Sequence, residues 1–191
     1  METKPLYTTI NVGKYKGKKL ILPSLESTRS TKSILKGSFF DTFQYEIIDQ
    51  PFVEVFGGSG SMGLEALSRG AQHAYFIEKD KEAFRILEKN CLTIDAKATT
   101  CLKGDSFTIL PTLLTQLTCK TFFYFDPPFS IREGMDDIYD KTLHLIASIS
   151  PKLVHIIAIE HMSELLLPET IGVFNLQKHK KFGKSSLSYY M

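Results

Sequence analysis

Phe52-Val53-Glu54-Val55-Phe56-Gly57-Gly58-Ser59-Gly60-Ser61-Met62-Gly63 is the stretch that decides the fold. A short apolar run of strand character opens into a glycine-rich turn. Met62 to Arg69 then carries helical spacing, and Gly70 ends it. A strand, a glycine loop and a helix in that order begin a βαβ unit. The alternation continues downstream. Ala74-Tyr75-Phe76-Ile77 is predicted as a strand closing on Glu78. Lys81 to Ile94 is predicted as an amphipathic helix with Phe84, Leu87 and Cys91 on one side, and Thr99-Thr100-Cys101-Leu102 as the next strand. A helix near 106–117 follows. Thr121-Phe122-Phe123-Tyr124-Phe125 is too apolar to face water on either side, which makes it a central strand. Residues 136–149 read as a helix, Leu153 to Ile159 as a buried strand, and Val173–Gln177 and Ser186–Tyr190 as late strands. The pattern predicts an α/β fold: an open, mainly parallel sheet with helices on both faces. Ligands of such sheets bind beyond the carboxyl ends of the strands.

Upstream, residues 6–22 read as a hairpin turning across Gly13 to Gly17. Residues 31–48 read as a helix with a stripe of Ile34, Leu35, Phe39, Phe40 and Phe43. The expected organisation is a small basic extension over 1–48 and the main α/β unit over 49–191, compact together. At 191 residues, 43% hydrophobic and 23% charged, the chain is expected to bury a full core without disulfide or metal staples. Cys91, Cys101 and Cys119 are odd in number and widely spaced, and read as reduced core thiols of a cytoplasmic protein. The start lacks a signal-peptide apolar stretch, and no run approaches a membrane span. The five histidines have no metal-ligand spacing and read as surface or helix-end residues, so neither metal nor membrane is expected.

Net charge is +2, but unevenly placed: residues 1–40 carry +6, residues 41–170 carry −8 and residues 171–191 carry +4. An acidic centre suits a cationic or polar small molecule. Basic ends suit a polyanion, because each lysine or arginine near a phosphate releases a condensed counterion.

Gly58-Ser59-Gly60-Ser61-Met62-Gly63 fits GxGxxG, and Glu78 lies 18 residues beyond Gly60 at the end of the next strand. That geometry serves the ribose of a dinucleotide or of adenosylmethionine. Glu54, inside the strand end before the loop, separates the two. Its carboxylate repels a pyrophosphate and accepts hydrogen bonds from the ammonium of a methionine moiety. A second motif, Asp126-Pro127-Pro128-Phe129, follows the aromatic strand. Consecutive prolines stiffen the loop and leave its carbonyls able to accept. The lone pair of an exocyclic amino nitrogen is conjugated with its base. The Asp126 carboxylate and the Pro127 carbonyl, accepting its two N–H bonds, favour a pyramidal nitrogen with a directed lone pair. Phe129 is placed to stack on the base. Phe122, Phe123 and Phe125 read as sheet core.

Residues 51–71 (PFVEVFGGSGSMGLEALSRGA), Phe76-Ile77-Glu78-Lys79-Asp80 and Phe125-Asp126-Pro127-Pro128-Phe129 resemble the RsmD family. These are class I adenosylmethionine-dependent methyltransferases of Rossmann-like fold, acting on the N2 amino group of a guanine in small-subunit (16S) ribosomal RNA. The resemblance runs nearly end to end. It implies that Glu54, Phe56, Gly58 and Gly60 line the methionine end of S-adenosyl-L-methionine and that Glu78 holds the ribose, with Lys79 beside it. It places Asp105 and Ser106 near the adenine, and Asp126, Pro127 and Phe129 around the target guanine. Arg29, Thr31 and Lys36 would fall on the RNA-facing loop and helix. The chain departs from the family at Glu54 (usually Asp), Gly57 (usually Ala), Ser30 (usually Pro) and Lys36-Gly37 (usually Arg-Glu). The expected partner is 16S rRNA or the small ribosomal subunit, met by a monomer. Three other readings stay open on the residues alone: amino methylation of DNA adenine or protein glutamine, a nicotinamide-dependent oxidoreductase, and a non-catalytic RNA-binding or assembly protein.

Overall fold

In the computed structural model the described residues are 5–23, 29–128 and 137–191, with the backbone alone for Arg29, Ser30 and Thr31. The chain opens with β1 (Leu6–Thr9) and β2 (Lys19–Leu22), an antiparallel hairpin, and α1 (Arg29–Thr42). Alternating elements follow: β3 (Pro51–Glu54), α2 (Ser61–Ser68), β4 (His73–Glu78), α3 (Lys81–Asp95), β5 (Thr99–Lys103), α4 (Ser106–Leu114), β6 (Thr121–Phe125), α5 (Ile138–Ala147) and β7 (Val154–Met162). The chain closes with β8 (Thr170–Ile171), β9 (Phe174–Phe182) and β10 (Ser185–Tyr190). Among the described residues the main sheet has eight strands in the order β5-β4-β3-β6-β7-β10-β9-β8. Neighbours from β5 to β7 pair in parallel, while β10 pairs antiparallel with both β7 and β9. This is a Rossmann-like architecture with the expected parallel core. The direction of the chain reverses at β3, where β4 and β6 flank the first strand.

Alternation along the central strands builds two cores. Phe52, Phe76, Phe122, Tyr124, Ala158 and Tyr189 face α1, α2, α3 and the hairpin. Val53, Ile77, Phe123, Phe125, Ile157 and Tyr190 face α4 and α5. All five residues of β6 are buried, so the aromatic strand is central as its composition requires. Phe39 of α1 meets Tyr124 edge-on at 5.5 Å and Phe52 at 6.0 Å between ring centroids. Offset and edge contacts of this kind are the favoured aromatic geometry.

The hairpin is fastened to the sheet unit by polar side chains. Glu65 of α2, fully buried, accepts from the backbone N–H groups of Asn11 and Val12 at 2.8 and 3.1 Å. Ser68 Oγ accepts from the Tyr15 N–H and donates to the Val12 carbonyl. Asn90 of α3 exchanges two hydrogen bonds with Ile21 of β2 and donates to the Ser59 carbonyl in the glycine loop.

Several expectations are corrected. The first helix ends at Thr42 rather than 48, and the chain then turns until Asp49, in the left-handed region at φ 58°, redirects it into β3. Ile34 is not in the apolar stripe: it is 63% exposed, because Leu35, Phe39 and Phe40 already fill the face of α1 that meets the sheet. Cys91 is buried, but Cys101 is half-buried and Cys119 exposed. His161 is not at the surface. It is fully buried between strands, bonded to the Met162 carbonyl and the Ser188 hydroxyl. β8 was not foreseen, and β9 runs five residues beyond Gln177.

Candidate active site

The glycine loop takes its shape from the tight packing beneath it. Gly60 lies in the left-handed region at φ 78°, and a Cβ there would press on Leu87. A Cβ on Gly63 would overlap the Phe76 ring, so the third glycine is what lets α2 lie against β4. Gly60 has no side chain to cap α2. Glu54 does that work from the end of β3, its Oε2 accepting from the Gly63 N–H at 2.8 Å. An anion at a helix start meets unpaired N–H groups and the positive end of the helix dipole. Glu78 braces the other side of the loop, with Oε2 accepting from the Gly58 N–H and Oε1 from the Asp80 N–H, both at 2.7 Å. Each oxygen retains a second lone pair.

A cleft of about 320 Å³ opens over this loop. Its floor holds Glu54, Phe56 and residues 57–59 of the loop, and one wall holds Asp126 and Glu160. Its roof comes from the extension: Tyr7, Thr8 and Thr9 of β1, and Lys32 and Lys36 of α1. The volume is at the lower end of the range of about 300–1,000 Å³ common to small-molecule sites. Glu54, Asp126 and Glu160 come from the carboxyl ends of adjacent strands β3, β6 and β7, where an open parallel sheet collects its ligand contacts. Tyr124 donates its hydroxyl to Glu160 at 2.8 Å. Burial, followed by the Glu160 carboxylate, pushes the Tyr124 phenol far above its usual range, so it remains a proton donor to that acid.

The structure thus brings Glu54, Phe56, Gly58 and Asp126 to one cleft. Phe56 meets Phe107 edge-on at 6.1 Å, linking the loop to α4. Asp105 caps α4 by accepting from the Phe107 N–H, and Lys79 donates to its other oxygen at 2.8 Å. That hydrogen bond holds the Asp105 carboxyl below its ordinary value and raises Lys79. Ser106 is buried and donates to the Val55 carbonyl, tying α4 to the loop entrance. Gly60, Glu78, Lys79, Asp105 and Ser106 do not line the cleft. Pro127 is buried. Phe129 lies outside the described residues, as do the side chains of Arg29 and Thr31, whose backbone begins α1.

Lys36 is a correction. It is not an exposed base on α1: only 5% exposed, it turns inward and places Nζ 3.2 Å from the Thr9 carbonyl and 3.5 Å from Glu65. The cause is Glu65, a fully buried carboxylate that needs positive charge beside it; Arg69 supplies the second cation at 3.0 Å. Burial pulls the Lys36 ammonium below its ordinary value, and Glu65 works against that shift.

Two charged cleft residues escaped the sequence reading. Glu160 had a signal, an acid closing an otherwise apolar strand, but the strand was read only to Ile159. Lys32 had none: its partner is Asp126, 94 residues away, at 2.8 Å. Among the described residues no cluster of three or more His, Cys, Asp or Glu could hold a metal ion, and no helix is long and apolar enough to cross a membrane.

Comparison with known proteins identifies the family of the chain. A protein family described as "Conserved hypothetical protein 95" matches residues 8–191. The chain is similar to Ribosomal RNA small subunit methyltransferase D of Escherichia coli, with 31% identity over 134 residues, 70% of this chain and 64% of that protein. The Haemophilus influenzae protein of the same name is 27% identical over 186 residues, 95% of this chain and 92% of the relative. The solved Escherichia coli protein yhhF superposes with a TM-score of 0.76 at 26% identity, covering 96% of this chain and 97% of that one.

Proposed function

The chain belongs to this family, the RsmD family of ribosomal RNA methyltransferases, and from that premise we propose that it methylates the exocyclic N2 amino group of one guanine in small-subunit (16S) ribosomal RNA, using S-adenosyl-L-methionine. The enzyme class and the RNA substrate come with the family. The base, the cofactor and the residue roles are our reading. The observation that carries it is that Glu54 and Asp126 line one cleft, at the ends of neighbouring strands β3 and β6.

The cleft suits adenosylmethionine better than a dinucleotide. Its carboxylates match a ligand with an ammonium and a sulfonium, while Glu54 and Glu78, both bonded to the loop, would repel a pyrophosphate there. Glu54 accepts from the ammonium, the backbone of residues 56–58 follows the methionine chain, and Glu78 turns its remaining lone pairs to the ribose hydroxyls. Asp105 and Ser106 fix the start of α4 beside the adenine. Bound adenosylmethionine supplies an electrophilic methyl group on a sulfonium that needs no further activation.

The protein's share of the chemistry is then positioning. Asp126 accepts one N–H of the guanine amino group. The Pro127 carbonyl, on a loop stiffened by Pro128, accepts the other. Together they aim the nitrogen lone pair into the cleft. The proton that the nitrogen must lose after methylation passes to Asp126, whose side chain is 23% exposed and can return it to water. Phe129 is assigned to stack on the base, which must be turned out of the RNA to reach the cleft.

The extension and the closing hairpin are proposed as the RNA grip. Lys14, Lys16, Lys18 and Lys19 stand exposed around the β1–β2 turn. Lys178, Lys181 and Lys184 stand exposed on and after β9. Lys180 reaches across to Ser38 and Thr42 at 2.9 Å each, so the second basic segment is tied to α1. Arg29 and Thr31 belong to the same proposed surface. The reaction places the enzyme in the cytoplasm, where ribosomal RNA is processed.

The test is to incubate the protein with methyl-labelled adenosylmethionine and small-subunit rRNA, or particles lacking their own modification. The RNA is then digested and the labelled nucleoside identified. N2-methylguanosine at one position is the expected result. Label on another nucleoside would overturn the guanine assignment. Label on duplex DNA or a protein glutamine in parallel reactions, with none on RNA, would overturn the acceptor class.

A further inference from the structure

Lys32 does not belong to the machinery assigned above, yet it touches its centre. Its Nζ lies 2.8 Å from Oδ2 of Asp126, the carboxylate assigned above to the acceptor amino group. An ammonium N–H and an amino N–H are the same kind of donor to a carboxylate. Lys32 therefore competes for the carboxylate to which the guanine N2 is assigned. The pair is only half-shielded: the lysine side chain is 42% exposed and the aspartate 23%. An ion pair this exposed is a weak contact, broken without large loss. The lysine sits in the cleft roof, on α1, next to the segment that holds Arg29 and Thr31.

We infer that Lys32 is a partner-exchanging positioning residue: it occupies Asp126 until the target nucleotide enters, then gives up the carboxylate to the base and takes a phosphate of the same RNA strand. The inference rests on Asp126 receiving the amino group. A base brings its own backbone phosphate to the cleft mouth, and a lysine displaced from a carboxylate there meets the one anion the substrate supplies. The exchange keeps Asp126 paired with a donor at every stage, and it admits a nucleotide in preference to a neutral amine, which cannot receive the lysine.

The exchange has a signature that a merely structural lysine lacks. Removing Lys32 takes away one phosphate contact and also one internal competitor. The first effect falls steeply with salt through counterion release, while the second, a direct contact of 2.8 Å, is screened less steeply. Binding of a small-subunit rRNA fragment is measured from low to high salt for the wild-type protein, Lys32→Met and Lys32→Arg, all saturated with adenosylhomocysteine. Lys32→Met is expected to lower the slope of log K against log salt by about 1. It should bind RNA more weakly than wild type at low salt, but up to about 2-fold more tightly at high salt, where the lost competitor outweighs the lost phosphate contact. Lys32→Arg should keep the wild-type slope. Parallel salt lines for wild type and Lys32→Met would overturn the phosphate half. A lower slope with no gain at high salt would overturn the competition for Asp126. Failure of the guanine reading shows elsewhere, as a wild-type protein that binds RNA and transfers no methyl group to N2.

Discussion

The two halves of the cleft are made in different ways. The half over β3 and β4 is built from backbone: three glycines, a helix start and two carboxylates bonded to loop N–H groups. The half over β6, β7 and the extension is built from side chains brought together from distant parts of the chain. Lys32 meets Asp126 across 94 residues, and Tyr124 meets Glu160 across 36. Backbone demands leave marks in residue type, because only glycine tolerates the close contacts. Side-chain pairings leave fainter marks, because neither residue of a pair announces the other until the fold brings them together.

The sharpest way to break this comparison is Asp126→Ala. If the acceptor half works by positioning the amino group, methyl transfer should fall about 100- to 1,000-fold, the range for losing one preorganised polar contact to the reacting centre. Transfer rates, with the folded state checked by thermal melting, decide it. A rate within about threefold of wild type would remove Asp126 from the chemistry.

Glu65→Gln asks what fastens the extension over the site. The substitution leaves Lys36 and Arg69 without their buried counter-charge and weakens the contacts to Asn11 and Val12. A loss of about 3–5 kcal/mol is expected, read by urea unfolding. A loss below about 1 kcal/mol would mean that apolar packing alone holds the hairpin.

Gly63→Ala probes the backbone-built half. The new methyl group must displace Phe76 or lift α2 from β4, for a loss of about 1–3 kcal/mol. The same measurement applies, and an unchanged midpoint would show that the close approach is not required.

The smallest effect is with pH. Burial lowers the proton affinity of His161, His73 and His155 in the folded chain. The unfolded chain takes up these protons near the ordinary value of about 6.5, while the folded chain resists them. Their contribution to stability is therefore full above that value and is lost as pH falls from 7 toward 5. Melting temperature should decline over that interval, and His161→Gln should flatten the decline. An equal slope in the variant would place the acid sensitivity elsewhere.

Much of the fold was legible for the same reason that the loop was. Strand and helix periods, Gly70 at the end of α2 and the wholly apolar β6 each follow from local chemistry. The errors fall where a residue's partner is remote. Lys36 read as a surface base because nothing near it in sequence announces Glu65. Ile34 read as core because the apolar run does not say which residues of α1 meet the sheet. His161 read as exposed because Ser188, its partner, comes 27 residues later. The first helix was overextended because the chain from 43 to 49 keeps apolar residues while leaving helical geometry. In the site, Glu54, Phe56, Gly58 and Asp126 were legible as motif residues, whereas Lys32 and Glu160 needed the fold.

The division of the cleft is the central claim, and one paired measurement tests it most directly: adenosylmethionine affinity, by titration calorimetry, for Asp126→Ala and Glu54→Gln against the wild-type protein. The account predicts that Asp126→Ala binds the cofactor within about twofold of wild type, while Glu54→Gln, losing a charged hydrogen-bond partner of the ammonium, binds it roughly tenfold or more weakly. Equal losses in both variants, or a loss confined to Asp126→Ala, would contradict it.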